Sequence, residues 1–292
     1  MGDFKIDNGY PFMPGSDEPT PQILGSLLFV RNRANRFMYA QIGPSGVGYA
    51  FQPALFSNKI GWWNPPGNAT TVPGILGIGT LTAAGTVTQR NVATTNFFTR
   101  VRRLGLASAG TTNSVCGYRG AVTQFTVGNG STLGGFFYVI RFGIADATNV
   151  AGARMFIGLR NITTAGTNVE PPTITNCIGV GHNSANTNLF IYYGGSAAQT
   201  PIDLGVNFPT NTQSTDMYEL TLFSWPTSNN QVGYRVERLN TGNVASGVLT
   251  GTAGVALPAS TTLLTNNDFR TNNTTASAVA IDYSSIYFET DN

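Results

Sequence analysis

The residues able to do acid, base, nucleophile or metal chemistry are few and scattered. One histidine, His182, stands in GVGHNSANTN, and the two cysteines, Cys116 and Cys177, are far apart and in no CxxC spacing. As a base for a nucleophilic serine His182 would need a GxSxG turn, which the sequence lacks. As a metal ligand it would need a second histidine or a nearby thiolate or carboxylate cluster, so a hydrogen-bonding role at a loop edge fits it better. The acids from Asp146 to Asp291 are spread singly. Two of them could act as glycosidase acid and nucleophile if the fold set them at the right separation, but no spacing marks a pair. The glycine-rich pieces GILGIGTL and GNGSTLGG neither open a helix nor sit in a βαβ unit, so they read as turn and bulge glycines and not as phosphate loops. A DxDxDG calcium loop is absent from the sequence. The expectation is therefore no catalytic set, no metal and no cofactor.

What remains is aromatic and amide chemistry. Trp62, Trp63, Tyr192, Tyr193 and Trp225, in a chain rich in asparagine, are groups of the kind that stack on and hydrogen-bond to sugars, and they are the candidate ligand contacts. The same rings would serve equally as core or subunit-interface residues.

The elements that must position these residues are β-strands. Of 292 residues, 10% are charged and 41% hydrophobic, with 35 glycines and 18 phenylalanines. That supplies enough apolar area to order the chain, and the abundance of Gly, Thr, Val and Phe over Lys, Glu and Gln favours strand over helix. Residues 1–24, with four prolines and no period, read as an extended arm that packs on its own domain or a neighbour. Residues 25–100 alternate short β-like runs with turns and read as a small β domain, and Pro65 and Pro66 forbid a central strand at that point. Residues 101–292 hold ten longer runs: 122–127, 134–145, 154–161, 175–182, 188–195, 217–225, 231–240, 242–250, 261–267 and 277–291. They predict an antiparallel β-sandwich of jelly-roll or lectin-like type. MYELTLF and QVGYRVER, joined by a polar link, read as a hairpin with one wet face. LGGFFYVIRFGIAD, apolar on both faces at period two, reads as a central strand covered on both sides.

Charge is lopsided although the net is only +2. No acid occurs from Pro19 to Ala145, against ten bases (Arg31, Arg33, Arg36, Lys59, Arg90, Arg100, Arg102, Arg103, Arg119, Arg141), whereas the remainder to Asn292 is net acidic. The two halves are expected to neutralise each other within or between subunits, and Arg141 must find a carboxylate in the second half or a neighbouring subunit, or stack on a ring. Nucleic-acid binding is not expected, because only FFTRVRRLG is dense in arginine. Nor is membrane insertion, because no run is an apolar span of about 20 residues. The cysteines read as free buried thiols, a single bridge being the alternative.

In their order, SLLFVRNRANRFMYAQIG, YAFQPALF, FFTRVRRLGLASA, LGGFFYVIRFGIAD, ARMFIGL, IGVGHNSANTNLFIYYGG, YELTLFSWP, GYRVERLNTG and ASAVAIDYSSIYFETDN make the chain from about Ser26 onward similar to bacteriophage tail-fibre and related fibre or appendage proteins that end in a β-sandwich. The resemblance implies a homotrimeric structural protein of the virion. Its sandwich would touch the host surface, engaging a host surface glycan, and residues 1–24 would anchor it to other virion proteins. The chain departs from long fibres in having only about 100 residues before the sandwich. That keeps a capsid-decoration (cement) or head-fibre role, a free-standing lectin-like module and a glycan-cleaving spike as alternatives.

Overall fold

A computed structural model describes residues 5–7, 10–12, 15–16, 19, 27–42, 48–50, 59–65 and 81–290. The chain divides into two compact units, Met1–Ser57 and Asn58–Asn292. In the first, β1 (Lys5–Asp7) pairs antiparallel with β2 (Tyr10–Phe12). A separate sheet runs β3 (Gly15–Ser16), β4 (Leu27–Arg33), β5 (Arg36–Ile42), β6 (Gly48–Ala50). Its central hairpin turns at Ala34 and Asn35, both at positive φ, which matches the strand twist across a two-residue loop. Residues 1–24, expected as an unpaired arm, thus contain strand pairs at 5–7, 10–12 and 15–16, and the rest of that segment apart from residue 19 lies outside the described residues.

The second unit is an antiparallel β-sandwich. In chain order its strands are β7 (Lys59–Trp63), β8 (Leu81–Ala84), β9 (Thr86–Thr88), β10 (Leu104–Ala107), β11 (Val115–Gly120), β12 (Phe136–Ile144), β13 (Arg154–Arg160) and β14 (Cys177–His182). There follow β15 (Phe190–Gly194), β16 (Ile202–Asp203), β17 (Tyr218–Ser224), β18 (Gln231–Arg238), β19 (Asn243–Thr250), β20 (Thr265–Asn266), β21 (Phe269–Thr271) and β22 (Ala280–Thr290). Sheet one has the order β19-β18-β17-β12-β22-β10-β9, and sheet two β16-β15-β14-β13-β21-β11-β8, with β20 also on β13. One edge of β22 pairs with β12. The other takes β10 at Ala280–Tyr283 and β7 at Ile286–Thr290.

The expected small domain over 25–100 is therefore divided between the two units. Strands at 59–63, 81–84 and 86–88 complete the sandwich sheets, and the break falls between Ser57 and Asn58. The reason is non-local pairing: Trp63 finds its partner, Ile286, at the far end of the chain. Two expected runs also shrink. Residues 122–127 make only an isolated bridge, Phe125 to Leu264, and 261–267 contributes only Thr265–Asn266.

Period-two alternation fills the space between the sheets. From β12 come Phe136, Tyr138, Ile140, Phe142 and Ile144, from β13 Met155, Ile157 and Leu159, and from β22 Ile281, Tyr283, Ile286 and Phe288, all buried in one cluster. Rings meet across the layer, Phe125 stacking on Phe288 at 4.1 Å and Tyr118 tilting against Tyr283 at 4.8 Å. Cys116 and Cys177 are free and buried.

Candidate functional site

The outer faces of the two sheets are built differently. On sheet two, Phe156, Tyr192, Phe269 and Cys177 point away from the main core and form a second buried cluster with Ile174. The segment between β13 and β14 lies over them. Asn267 donates from Nδ2 to the carbonyls of Ile162 and Thr164, at 3.0 and 2.9 Å, and a side chain at Gly166 would strike the Phe269 ring. Tyr192 donates its hydroxyl to Asn186 Oδ1.

On sheet one the registers place outward residues in rows: Trp62, Tyr287, Val139, Thr221 and Arg235 in one, and Ser285, Arg141, Glu219 and Glu237 in the next. Beside them Phe137 packs edge-on against Phe223 and Tyr287, and Phe223 against Trp225. One end of this face is closed by a single helical turn, α1 (Phe97–Arg100), whose Phe98 lies over Gly143, where a side chain could not fit. There Asp282, fully buried, takes Arg90 Nε and Arg103 Nε, each at 2.8 Å. Further along, Arg141 Nε donates to Glu219 Oε2 at 2.8 Å, and Arg235 bonds Glu237 at 2.7 Å. The charge reading of the sequence is met here, since Arg90, Arg103 and Arg141 of the acid-free half each pair with a second-half carboxylate. The expectation that both faces of β12 are covered is corrected: its inner face is, but Arg141 on the outer face keeps 48% of its side chain exposed. The expected wet face of the β17–β18 hairpin is corrected too, because Glu219 and Thr221 are buried.

Alternation separates the five sequence candidates. Trp62 points outward and is 52% exposed, whereas its neighbour Trp63 is a core residue, 1% exposed, packed edge-on against Tyr118. Tyr192 belongs to the closed cluster of sheet two, and Tyr193 packs against the main core. Trp225 stays half-buried on the sheet-one side. Of the five, Trp62 and Trp225 share a face, and Trp62 stands in an open patch with the half-buried Tyr287, Ser285 and Val139 and the exposed Arg141. Tyr287 and Ser285 were not among the sequence candidates. The alternation in SSIYFETD places them on one face, but only the pairing of β22 with β7 brings them to Trp62.

Two polar clusters lie between the sheets. Arg270 forks onto Asp146 through Nε and Nη2 and donates from Nη1 to His182 Nε2 at 2.7 Å, while His182 Nδ1–H donates to the Asn183 carbonyl. Burial, and then the adjacent guanidinium, pushes the His182 pKa down to about 3, so the ring is neutral. Because Asp146 also accepts the Ala280 N–H, this cluster clips sheet one to sheet two. Asp268, also buried, accepts from the Gly158 N–H and from Asn266, which in turn accepts the Tyr138 hydroxyl. Burial pushes its pKa up to about 7, against the lowering pull of these hydrogen bonds and of Arg160. Among the described residues no three His, Cys, Asp or Glu side chains gather as a metal site, and no helix is long and apolar enough to cross a membrane.

Fold and site together define an antiparallel β-sandwich with one closed outer face and one carrying a partly exposed aromatic and cationic patch. No protein-family model and no curated protein sequence matches the chain. Similar solved structures include a protein of unknown function from Shewanella oneidensis MR-1, at 17% identity and TM-score 0.47 over 82% of this chain and 89% of that one. Arcelin-5, a lectin-like defence protein from Phaseolus vulgaris, aligns at 12% identity and TM-score 0.49 over 80% and 98%. A carbohydrate esterase from the Shiga toxin-encoding bacteriophage phi24B aligns at 16% identity and TM-score 0.39 over 73% and 90%.

Proposed function

We propose that this chain binds carbohydrate through the outer face of sheet one and does so as a fibre or appendage protein of a bacteriophage virion. The observation that carries the binding reading is the 52% exposure of Trp62 beside Tyr287, Ser285 and Arg141 on a strand-supported surface. An indole half in water offers an apolar face on which the C–H side of a pyranose can stack, while hydroxyl and guanidinium groups at its edge meet sugar hydroxyls. The virion setting, the homotrimer and the anchoring by residues 1–24 rest on the ordered likeness to phage fibre proteins.

A glycan-cleaving role has one observation in its favour, that Glu219, Glu237 and Glu289 share this face. Their partners argue against it: Glu219 holds Arg141, Glu237 holds Arg235 and Glu289 accepts the Tyr287 hydroxyl, so each carboxylate is already engaged by a neighbouring side chain. The residue best tuned to carry a proton near neutrality, Asp268, is sealed between the sheets and cannot reach a sugar.

Binding of the purified chain to host cells and to their isolated surface polysaccharide, with and without Trp62→Ala, tests the reading. Wild-type binding lost in the variant is the expected result. Equal binding by both proteins would remove Trp62 from the site, and reducing ends released from the polysaccharide would replace binding by hydrolysis.

A further inference from the structure

The patch around Trp62 carries more cation than the local carboxylates consume. The outer face of sheet one and the segment covering its end hold Arg90, Arg100, Arg102, Arg103, Arg141 and Arg235 against Asp282, Glu219, Glu237 and Glu289, six bases to four acids. Asp282 is consumed by Arg90 and Arg103. Glu219 and Glu237 are engaged by Arg141 and Arg235. Arg100 and Arg102 are exposed and meet no carboxylate among the described residues. Arg141 spends only its Nε on Glu219, and its two terminal nitrogens, on the exposed end of the side chain, make no hydrogen bond to described residues.

These cations lie to one side of the indole along the strand direction. Trp62 and Arg141 lie on strands either side of β22, two residues apart along the strand direction, which by strand spacing and rise sets their Cα atoms about 12 Å apart. Trp63 faces Ile286 and Leu104 faces Tyr283 on the same edge of β22, so the chain around Arg102 and Arg103 approaches the end of β7 within about 10 Å. An aromatic platform with cations at such spacings suits a short stretch of sugar chain bearing negative charge.

Building on the carbohydrate reading above, we propose that the ligand class is an acidic glycan. One ring stacks on Trp62, and its carboxylate or phosphate substituent is held by the terminal nitrogens of Arg141, with Arg102 beyond the end of β7 as a second cation. The ion pair with Glu219 fixes the guanidinium plane so that its free edge points to solvent, which gives Arg141 a specificity role that a freely rotating lysine would not fill.

The test compares three saccharide probes by calorimetry: oligogalacturonate, its carboxyl-reduced neutral counterpart, and a phosphomannan oligosaccharide. Inorganic polyphosphate and single-stranded DNA serve as anions without the sugar. Wild-type protein should bind at least one acidic saccharide tenfold or more tighter than the neutral one. Arg141→Gln should remove that preference by lowering acidic-saccharide affinity far more than neutral-saccharide affinity, Arg102→Gln, on an exposed side chain, should weaken acidic binding several-fold, and Trp62→Ala should abolish binding of all saccharides. Which acidic probe binds distinguishes carboxylate from phosphate. Equal affinity for acidic and neutral probes, insensitive to Arg141→Gln, would overturn the charge inference and leave carbohydrate binding standing. Polyphosphate or DNA bound as tightly as the acidic sugars would overturn it in favour of a general anion surface. No saccharide bound at all would remove the carbohydrate reading itself.

Discussion

Both outer faces of the sandwich carry aromatic rings, and they bury them to different extents. Sheet two turns Phe156, Phe269 and Tyr192 outward and then buries them under its own chain between β13 and β14. Sheet one turns Phe137, Phe223, Tyr287 and Trp62 outward, closes one end with α1 and the Arg90–Asp282–Arg103 cluster, and leaves Trp62 half in water beside an arginine. Among the described residues, sheet two is covered by the chain between two of its own strands, whereas sheet one leaves Trp62 and Arg141 exposed beside the buried Phe137, Glu219 and Thr221. Aromatic content alone therefore separates nothing; an unroofed ring with polar groups at its edge is what distinguishes a binding surface from a core.

The largest effect that can break this contrast is on stability. Phe269→Ala removes a buried ring from the closed face and should cost about 3–5 kcal/mol in urea denaturation. Trp62→Ala should shift stability by no more than about 0.5 kcal/mol, as expected of an exposed side chain, yet lower saccharide affinity at least tenfold. Comparable destabilisation by the two variants would mean that Trp62 is a packing residue and that the faces do not differ.

Next in size is a pH effect from the layer between the faces. Asp268, its pKa raised to about 7 by burial, binds a proton in the folded state that the unfolded chain releases near the ordinary carboxylate value, so it subtracts stability as pH rises from about 4 to about 7. His182, its pKa lowered to about 3, refuses a proton that the unfolded chain accepts, so its contribution is complete above about pH 6.5 and is lost as pH falls toward 3. Between pH 4 and 6.5 the two slopes oppose. Asp268→Asn should leave the His182 slope exposed, so its Tm should gain on that of the parent steadily as pH is raised from 4 to 7. Parallel Tm profiles would show that Asp268 titrates normally.

The contrast between the faces was only partly legible in the sequence. Eight of the ten long runs, the pairing of β17 with β18 though not its wet face, and the pairing of Arg90, Arg103 and Arg141 with second-half acids follow from local alternation and composition, and the structure bears them out. Alternation also requires Trp62 and Trp63, or Tyr192 and Tyr193, to point to opposite sides, but it does not say which member faces the core. That depends on pairings more than 200 residues apart, such as Trp62 with Tyr287. The same non-local pairing draws 59–63 into the sandwich and defeats a domain boundary placed on composition. The roof over sheet two was hidden for another reason: ITTAGTNVEPPT has no period, and only the packing shows that Gly166 must accommodate Phe269.

The cysteines sharpen the contrast kinetically. Burial raises both thiol pKa values to about 12, so neither should react with a thiol reagent in the native state. Cys177 lies under the roof, with its Sγ on the Ile174 carbonyl, whereas Cys116 sits in the main core. If the roof opens as a local unit, Cys177 should label first in mild urea, well before Cys116. Simultaneous labelling would make the roof and the core one cooperative body.

The smallest effect bears most directly on Arg141. Its bond to Glu219 at 2.8 Å could mark either a structural clamp or a positioned recognition group, and the two differ in coupling energy. With about half of the side chain in water, the pair is screened, and Arg235, 3.9 Å from the other Glu219 oxygen, can take over part of the carboxylate when Arg141 is removed. A double-mutant cycle of Arg141→Gln and Glu219→Gln should therefore give about 0.2–1 kcal/mol, falling further at high salt. Such a value leaves the guanidinium held in place but available at its free edge. A coupling above about 3 kcal/mol, the range for breaking a buried pair, would make Arg141 part of the closure of sheet one and would turn the open face into a second closed one.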